Sequence, residues 1–333
     1  MENKNQSPLQ NRAKGVGTFL YGHKAIVAIA ILYLIMLFYS FGNQTNFFGG
    51  YNQMLILRKA TVNIIVACGV TFAVMVHSID LSIGGMLALS GVLVIKFMEI
   101  MPVVPAIILT ILIGCVVGVI NGFLIVHQKL EGFIVTLGMG ILLKGVALEL
   151  TQAHPISADL SFNDLAMGTQ LSLGLGLPNM IIIMLIIVLV LSLVLRYTQF
   201  GRNIYAIGGD YGVAEYAGIP AVRQKWLAFV LSAGLTTVVG IVNSSFLGAG
   251  NANYGDMTAM IVNCAVVVGG TSMAGGIGGI WQSAIGVLFF SAMEITLQNI
   301  VPNAYVIQLI QGFVIVGILF LDSYDNKRKR ERV

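Results

Sequence analysis

The chain has 333 residues, of which 57% are apolar and only 10% charged, with a formal net charge of +4; its mean hydropathy is +0.90. Soluble globular chains carry about 25% charged residues, so a water-soluble fold of this length is excluded for want of polar surface. Apolar runs such as Ala25–Phe38 and Met180–Leu195 are nearly continuous rather than alternating, which excludes a membrane β-barrel and leaves an all-α bundle in a bilayer.

Residues 1–24 are polar and read as a retained cytoplasmic tail, with no cleaved signal peptide expected. Ten candidate spans follow, most near the length a bilayer requires and one, 258–270, short. They fall at roughly 25–42, 59–77, 82–100, 103–126, 133–151, 179–197, 226–246, 258–270, 281–300 and 304–321. The transmembrane domain therefore covers 25–321, with a long inward loop at about 197–225, and residues 322–333 form a basic cytoplasmic tail suited to anionic lipid. Cys68, Cys115 and Cys264 lie far apart in apolar stretches and read as small buried hydrophobes. No metal site is expected, and the positive charge points to topology rather than to nucleic acid.

Orientation follows from Lys and Arg. With both termini in the cytoplasm, inward segments hold 14 of the 18 basic residues, and the outer loop 152–178 holds none. The other four, Arg58, Lys59, Lys96 and Lys144, lie at or within span ends.

Three polar stretches interrupt the apolar pattern. The first, Ser78–Gly85, joins two spans through very few residues; Asp80 or Ser82 is expected to cap the helix that follows. The second is the inward loop, where Asp210 reads as an N-cap, Val213–Ala217 as one or two helical turns, and Gly218 as the C-cap ahead of Pro220. A short surface helix between glycines suits docking into a partner's groove. The third, Val268–Gly279, is glycine-rich and lacks the Lys of a phosphate-binding loop. It reads as a helix break at Gly269 and Gly270 beside a pathway.

A small polar solute would need hydrogen-bonding side chains within the bundle. The candidates are Asn63, Asn121, Thr136, Asn243, Asn263, Gln298 and Gln308, with Ser244, Asn299 and Gln311 behind them. Glu294 is the anomaly, since a carboxylate inside a span pairs with a polar neighbour or faces water. A proton-coupled transporter would use it as a relay. An intramembrane serine protease would instead need a dyad such as His77 with Ser90, two residues better explained by turns and packing.

Five motifs in order carry a resemblance: Ile79–Gly91 (IDLSIGGMLALSG), Val119–Val126 (VINGFLIV), Gly132–Gly138 (GFIVTLG), Gly201–Ile219 (GRNIYAIGGDYGVAEYAGI) and Val266–Trp281 (VVVGGTSMAGGIGGIW). From about Arg58 to Asp322 the chain resembles the permease subunits of bacterial ABC importers for simple sugars. The resemblance implies a non-enzymatic subunit of the cytoplasmic (inner) membrane, moving a small polar solute by alternating access. It implies ATPase partners that use ATP and Mg on the inner face, with no cofactor in this chain. It also implies a periplasmic or lipid-anchored solute-binding protein and a second permease copy, identical or related. Transmission of ATPase closure falls by resemblance on Gly208, Gly209, Asp210, Glu215, Gly218 and Ile219. The chain departs from the family pattern at Ser78, where Gly is common, at Lys144, where Arg is common, and at Ile261, where an Asp usually stands. Relatives for nucleosides, autoinducer-type furanosyl compounds or branched-chain amino acids are the alternatives.

Overall fold

A computed structural model describes residues 24–43, 47–172, 174–301 and 303–330. The first 23 residues of the expected N-terminal tail, and residues 331–333 of the C-terminal one, lie outside the described residues.

Thirteen α-helices are present among the described residues. They are α1 (Lys24–Asn43), α2 (Gly50–Met75), α3 (Ile83–Met98), α4 (Val103–Val126), α5 (Gly132–Thr151), α6 (Asp164–Met167) and α7 (Asn179–Tyr197). After these come α8 (Gln199–Gly209), α9 (Tyr211–Tyr216), α10 (Ala221–Leu247), α11 (Thr258–Gly269), α12 (Ile280–Ile300) and α13 (Ala304–Arg330). Each expected span coincides with a helix. Seven of them (α1, α2, α4, α5, α7, α10 and α12) are long and apolar enough to cross a membrane, and α3, α11 and the apolar part of α13 are shorter. α13 runs on through the expected tail boundary to Arg330.

The bundle is layered by burial. The most apolar stretches of α2 and α10 are 72% and 67% buried, whereas that of α1 is 11% buried and faces outward. Close packing replaces the hydrophobic drive that lipid removes. On α4, Gly114, Gly118 and Gly122 repeat every fourth residue, which puts them on one face. A Cβ on any of them would collide with α10, at Thr237, Val230 or Trp226 respectively. This stripe lets the two helices approach at backbone distance.

Two features escape the apolar pattern. In the 152–178 segment, Ile156–Ser157 pairs antiparallel with Ala249–Gly250, and Ser245 Oγ donates to Phe162 O at 2.6 Å, so the segment is pinned to the end of α10. The first part of the inward loop is not a loop. Thr198 caps α8 by accepting from Gly201 N at 3.2 Å, which makes Gly208 and Gly209 the last residues of a helix.

Candidate functional site

At the bundle end that carries the 248–257 connection, α2, α10, α11, α12 and α13 enclose a cavity of about 800 Å³, within the range of small-molecule sites. Asn63, Asn243, Gln298 and Gln308 all line it, as does Gln311, the residue i+3 from Gln308. Ile261 is in the same wall, so the departure from the family pattern falls on the cavity surface. Amide groups both donate and accept, which suits hydroxyl-bearing or amino-acid solutes.

Four charged residues join them. Lys59 Nζ pairs with Glu294 Oε1 across the cavity, the two side chains being 38% and 19% exposed, and Gln298 Nε2 lies 3.5 Å from the same oxygen. Arg58 also lines the cavity, and its buried Nε has no hydrogen-bond partner among the described residues. Asp256 on the cavity wall is held by Lys144 Nζ, at 2.6 and 2.7 Å from its two oxygens. Sequence reasoning missed Arg58 and Lys59 as site residues. The signal available was spacing: Lys59 and Asn63, like Glu294 and Gln298, stand four apart and share a helix face.

Asn121, Thr136 and Asn263 are elsewhere. All three bind the connection between α2 and α3. Asn121 Nδ2 donates to Ser82 Oγ at 3.0 Å, Thr136 Oγ1 accepts from Leu81 N at 3.0 Å, and Asn263 Nδ2 donates to Asp80 O at 2.9 Å. The centre of this knot is Asp80, buried and without a cation among the described residues. Its Oδ1 accepts from Ser82 N at 3.0 Å and Ser82 Oγ at 2.6 Å, and its Oδ2 from Ser232 Oγ at 2.7 Å. The expected cap is corrected here. Ser82 occupies the N-cap position of α3 in a helical conformation with no side-chain cap bond, and Asp80 folds onto Ser82 rather than onto the first turn of the helix. Side-chain bonds from four helices hold the turn instead, and the one from Ser232 on α10 reaches the Asp80 carboxylate itself. Ser244 and Asn299 donate to carbonyls of their own helices.

At the opposite end, the last turn of α8 meets the glycine-rich break. Gly269 ends α11, Gly270 turns at φ +114°, and the chain reaches α12 through Gly275–Gly279. Gly276 N donates to Met75 O at 3.2 Å, and Tyr205 Oη donates to Gly278 O at 2.7 Å. A Cβ on Gly208 would overlap Met75 O and Gly276 N, whereas one on Gly209 would meet nothing within 4 Å. His77 lies against Gly275, and Ser90 Oγ donates to Met86 O at 2.7 Å within α3, so the two are not hydrogen-bonded to each other.

The helix that follows has the local form its residues dictate. Asp210 caps α9 by accepting from Val213 N at 2.9 Å. Gly218, at φ +79°, donates to Glu215 O at 3.0 Å, the left-handed stop that glycine provides. Glu215 is exposed and Ile219 is tucked against the core. Tyr216 is 95% exposed and Val213 65%. These two were not among the expected coupling residues; an aromatic directly beside Glu215 was the available signal.

A family profile described as a branched-chain amino acid transport system permease component matches residues 52–319, the whole bundle from α2 into α13. The chain belongs to this permease family. The permease is 32% identical to the ribose import permease protein of Haemophilus influenzae, covering 94% of this chain and 97% of that one. It is 29% identical to the galactose/methyl galactoside import permease protein of Salmonella typhimurium, over 91% and 94% of the two chains. It is 30% identical to the D-allose transport system permease protein of Escherichia coli, over 83% and 84%. No solved structure matches it. This permease is thus a multi-pass membrane subunit of an ABC-type importer and a transport component rather than an enzyme.

Proposed function

We propose that this permease moves a monosaccharide-sized neutral polyol inward across the bacterial inner membrane, by alternating access driven from partner ATPases. The observation that carries the reading is the polar cavity. Asn63, Asn243, Gln298, Gln308 and Gln311 offer neutral donors and acceptors, and both carboxylates beside them are already paired, Glu294 with Lys59 and Asp256 with Lys144. The sugars in the relatives' names are chemically of this kind.

The topology that goes with it has ten spans and both termini in the cytoplasm, supported by the 14 of 18 basic residues that this arrangement places inside. The cavity then opens outward, where a solute-binding protein delivers. The segment 197–225 faces the ATPases, with Asp210, Glu215, Gly218 and Ile219 shaping the docking element. Gly208 and Gly209 end the helix that bears on the glycine break. ATP and Mg act in the partners, and a second permease copy completes the membrane unit. Residues 1–24 and the basic residues beyond 321 belong to the inner face, beside membrane lipid.

A second reading is favoured by one observation. Paired charges beside amides also suit a zwitterion, which is the solute type in the family's description. Glu294 held by Lys59 is a poor proton relay, which leaves little for an ion-coupled mechanism. The test is co-reconstitution with candidate ATPases and a binding protein, followed by uptake of labelled ribose, galactose, allose and leucine into vesicles. Uptake of a sugar that depends on ATP and is lost in Glu215→Lys with Gly218→Val supports the proposal. Sugar uptake that survives that double variant rejects the docking element, and leucine uptake alone rejects the sugar.

A further inference from the structure

We propose a binding site for one anionic phospholipid of the inner leaflet, in the groove between the C-terminal end of α7, the start of α8 and the start of α12. It rests on the orientation above, which puts this groove at the cytoplasmic boundary. The groove has a volume of about 610 Å³ and is lined by Arg196, Arg202, Leu189, Leu193, Trp281 and Gln282 among others.

Its two ends differ in chemistry. Leu189, Leu193 and Arg196 stand at i, i+4 and i+7, on one face of α7. With a rise of 1.5 Å per residue, the apolar wall extends about 10 Å into the membrane from the first guanidinium. Trp281, 56% exposed, forms the facing wall, and an amphipathic indole belongs at this depth. At the cytoplasmic end the two arginines converge. Arg202 Nη1 donates to Tyr197 O at 3.1 Å, and the Arg196 guanidinium lies 5.4 Å over the Tyr197 ring. Neither forms an ion pair with a carboxylate among the described residues. Two positive groups at the foot of an acyl-sized apolar slot match a phosphodiester headgroup with its chain above it. Basic pockets between helices on the cytoplasmic side are where such headgroups bind. A free phosphate would use the arginines and leave the apolar wall unused.

The groove is also bounded by Tyr205, Gly278 and Gly279, the contact through which α8 meets the glycine break. A bound lipid would therefore touch the joint between α8 and the glycine break.

The permease with Trp226→Phe retains Trp281 as its single tryptophan. Reconstituted in nanodiscs with brominated phosphatidylglycerol or brominated phosphatidylcholine at equal mole fraction, it reports occupancy through quenching of Trp281. Preferential quenching by phosphatidylglycerol is expected, falling roughly fivefold for each arginine replaced by glutamine, the equivalent of about 1 kcal/mol per basic residue. The preference should survive in Arg196→Lys with Arg202→Lys. The basic run Lys327–Arg332 is untouched by these substitutions, so its general attraction for anionic lipid cancels. Equal quenching by both lipids, or a preference that persists in Arg196→Gln with Arg202→Gln, overturns the site. Loss of the preference on adding inorganic phosphate overturns the lipid in favour of a soluble anion. Phosphatidylglycerol adducts retained through detergent washing by the wild-type chain, and lost from the double glutamine variant, give a second readout free of the Trp226 change. Neither assay requires ATPase or solute, so each stands or fails separately from the transport reading.

Discussion

Gly208 and Gly276 meet backbone to backbone. A Cβ added to Gly276 would lie 2.7 Å from Gly209 N, and one added to Gly208 would overlap Gly276 N. The contact joins the helix leading to the segment proposed to face the ATPases with the break ahead of α12, a wall of the polar cavity. Motion of α9 has a direct mechanical route to that wall, because two packed backbones cannot yield as side chains do.

The adjacent glycines of α8 give a sharp contrast. Gly208→Ala forces backbone apart and should cost about 1–3 kcal/mol by overpacking. Gly209→Ala has open space around it and should leave thermal stability unchanged. Melting curves in detergent decide the matter, and equal melting temperatures for the two variants would show that the contact is not tight.

The pair between Lys59 and Glu294 is partly solvated, which limits its worth to about 1 kcal/mol. Glu294→Gln and Lys59→Gln should each lower the stability of the permease, read from melting curves in detergent, by at most about 1 kcal/mol. The exchange Lys59→Glu with Glu294→Lys should recover part of it. An exchange variant no better than the singles would show that the two residues act separately.

Asp80 receives three hydrogen bonds in a buried site. Asp80→Ala removes the acceptor and strands the Ser232 hydroxyl and the turn amide, at a cost of about 2–4 kcal/mol. Poor recovery of folded protein in that variant, with milder loss in Ser232→Ala, is the expected order. The reverse order would move the centre of the knot away from Asp80.

Tyr216 protrudes from α9 with almost no contact to its own chain. Tyr216→Asp should leave the melting temperature of the permease alone, since surface changes of this kind fall within about 0.5 kcal/mol. Co-purification of the ATPase partner should drop sharply. Undiminished co-purification would place the docking surface elsewhere on 197–225.

The ten apolar helices were legible because lipid demands long uninterrupted runs, and the turn at Asp210–Gly218 was legible because caps obey local rules. α8 was not, since Gly201, Gly208 and Gly209 lower its helix propensity, while packing requires the first two there. The short pairing of Ile156–Ser157 with Ala249–Gly250 joins residues far apart in sequence and leaves no periodic trace. The polar residues show the deepest limit. Asn63 and Asn121 each interrupt a long apolar run, so composition cannot say which one borders a cavity. The structure separates them, with Asn63 in the cavity wall and Asn121 bonded to Ser82.

The most direct measurement is solute accumulation in sealed proteoliposomes holding the permease, its ATPase partners and its binding protein, with and without ATP inside the partner-facing compartment. The account predicts sugar accumulation only with ATP, abolished by Glu215→Lys with Gly218→Val and reduced by Glu294→Gln. Accumulation without ATP, or driven by an imposed proton gradient, would contradict it.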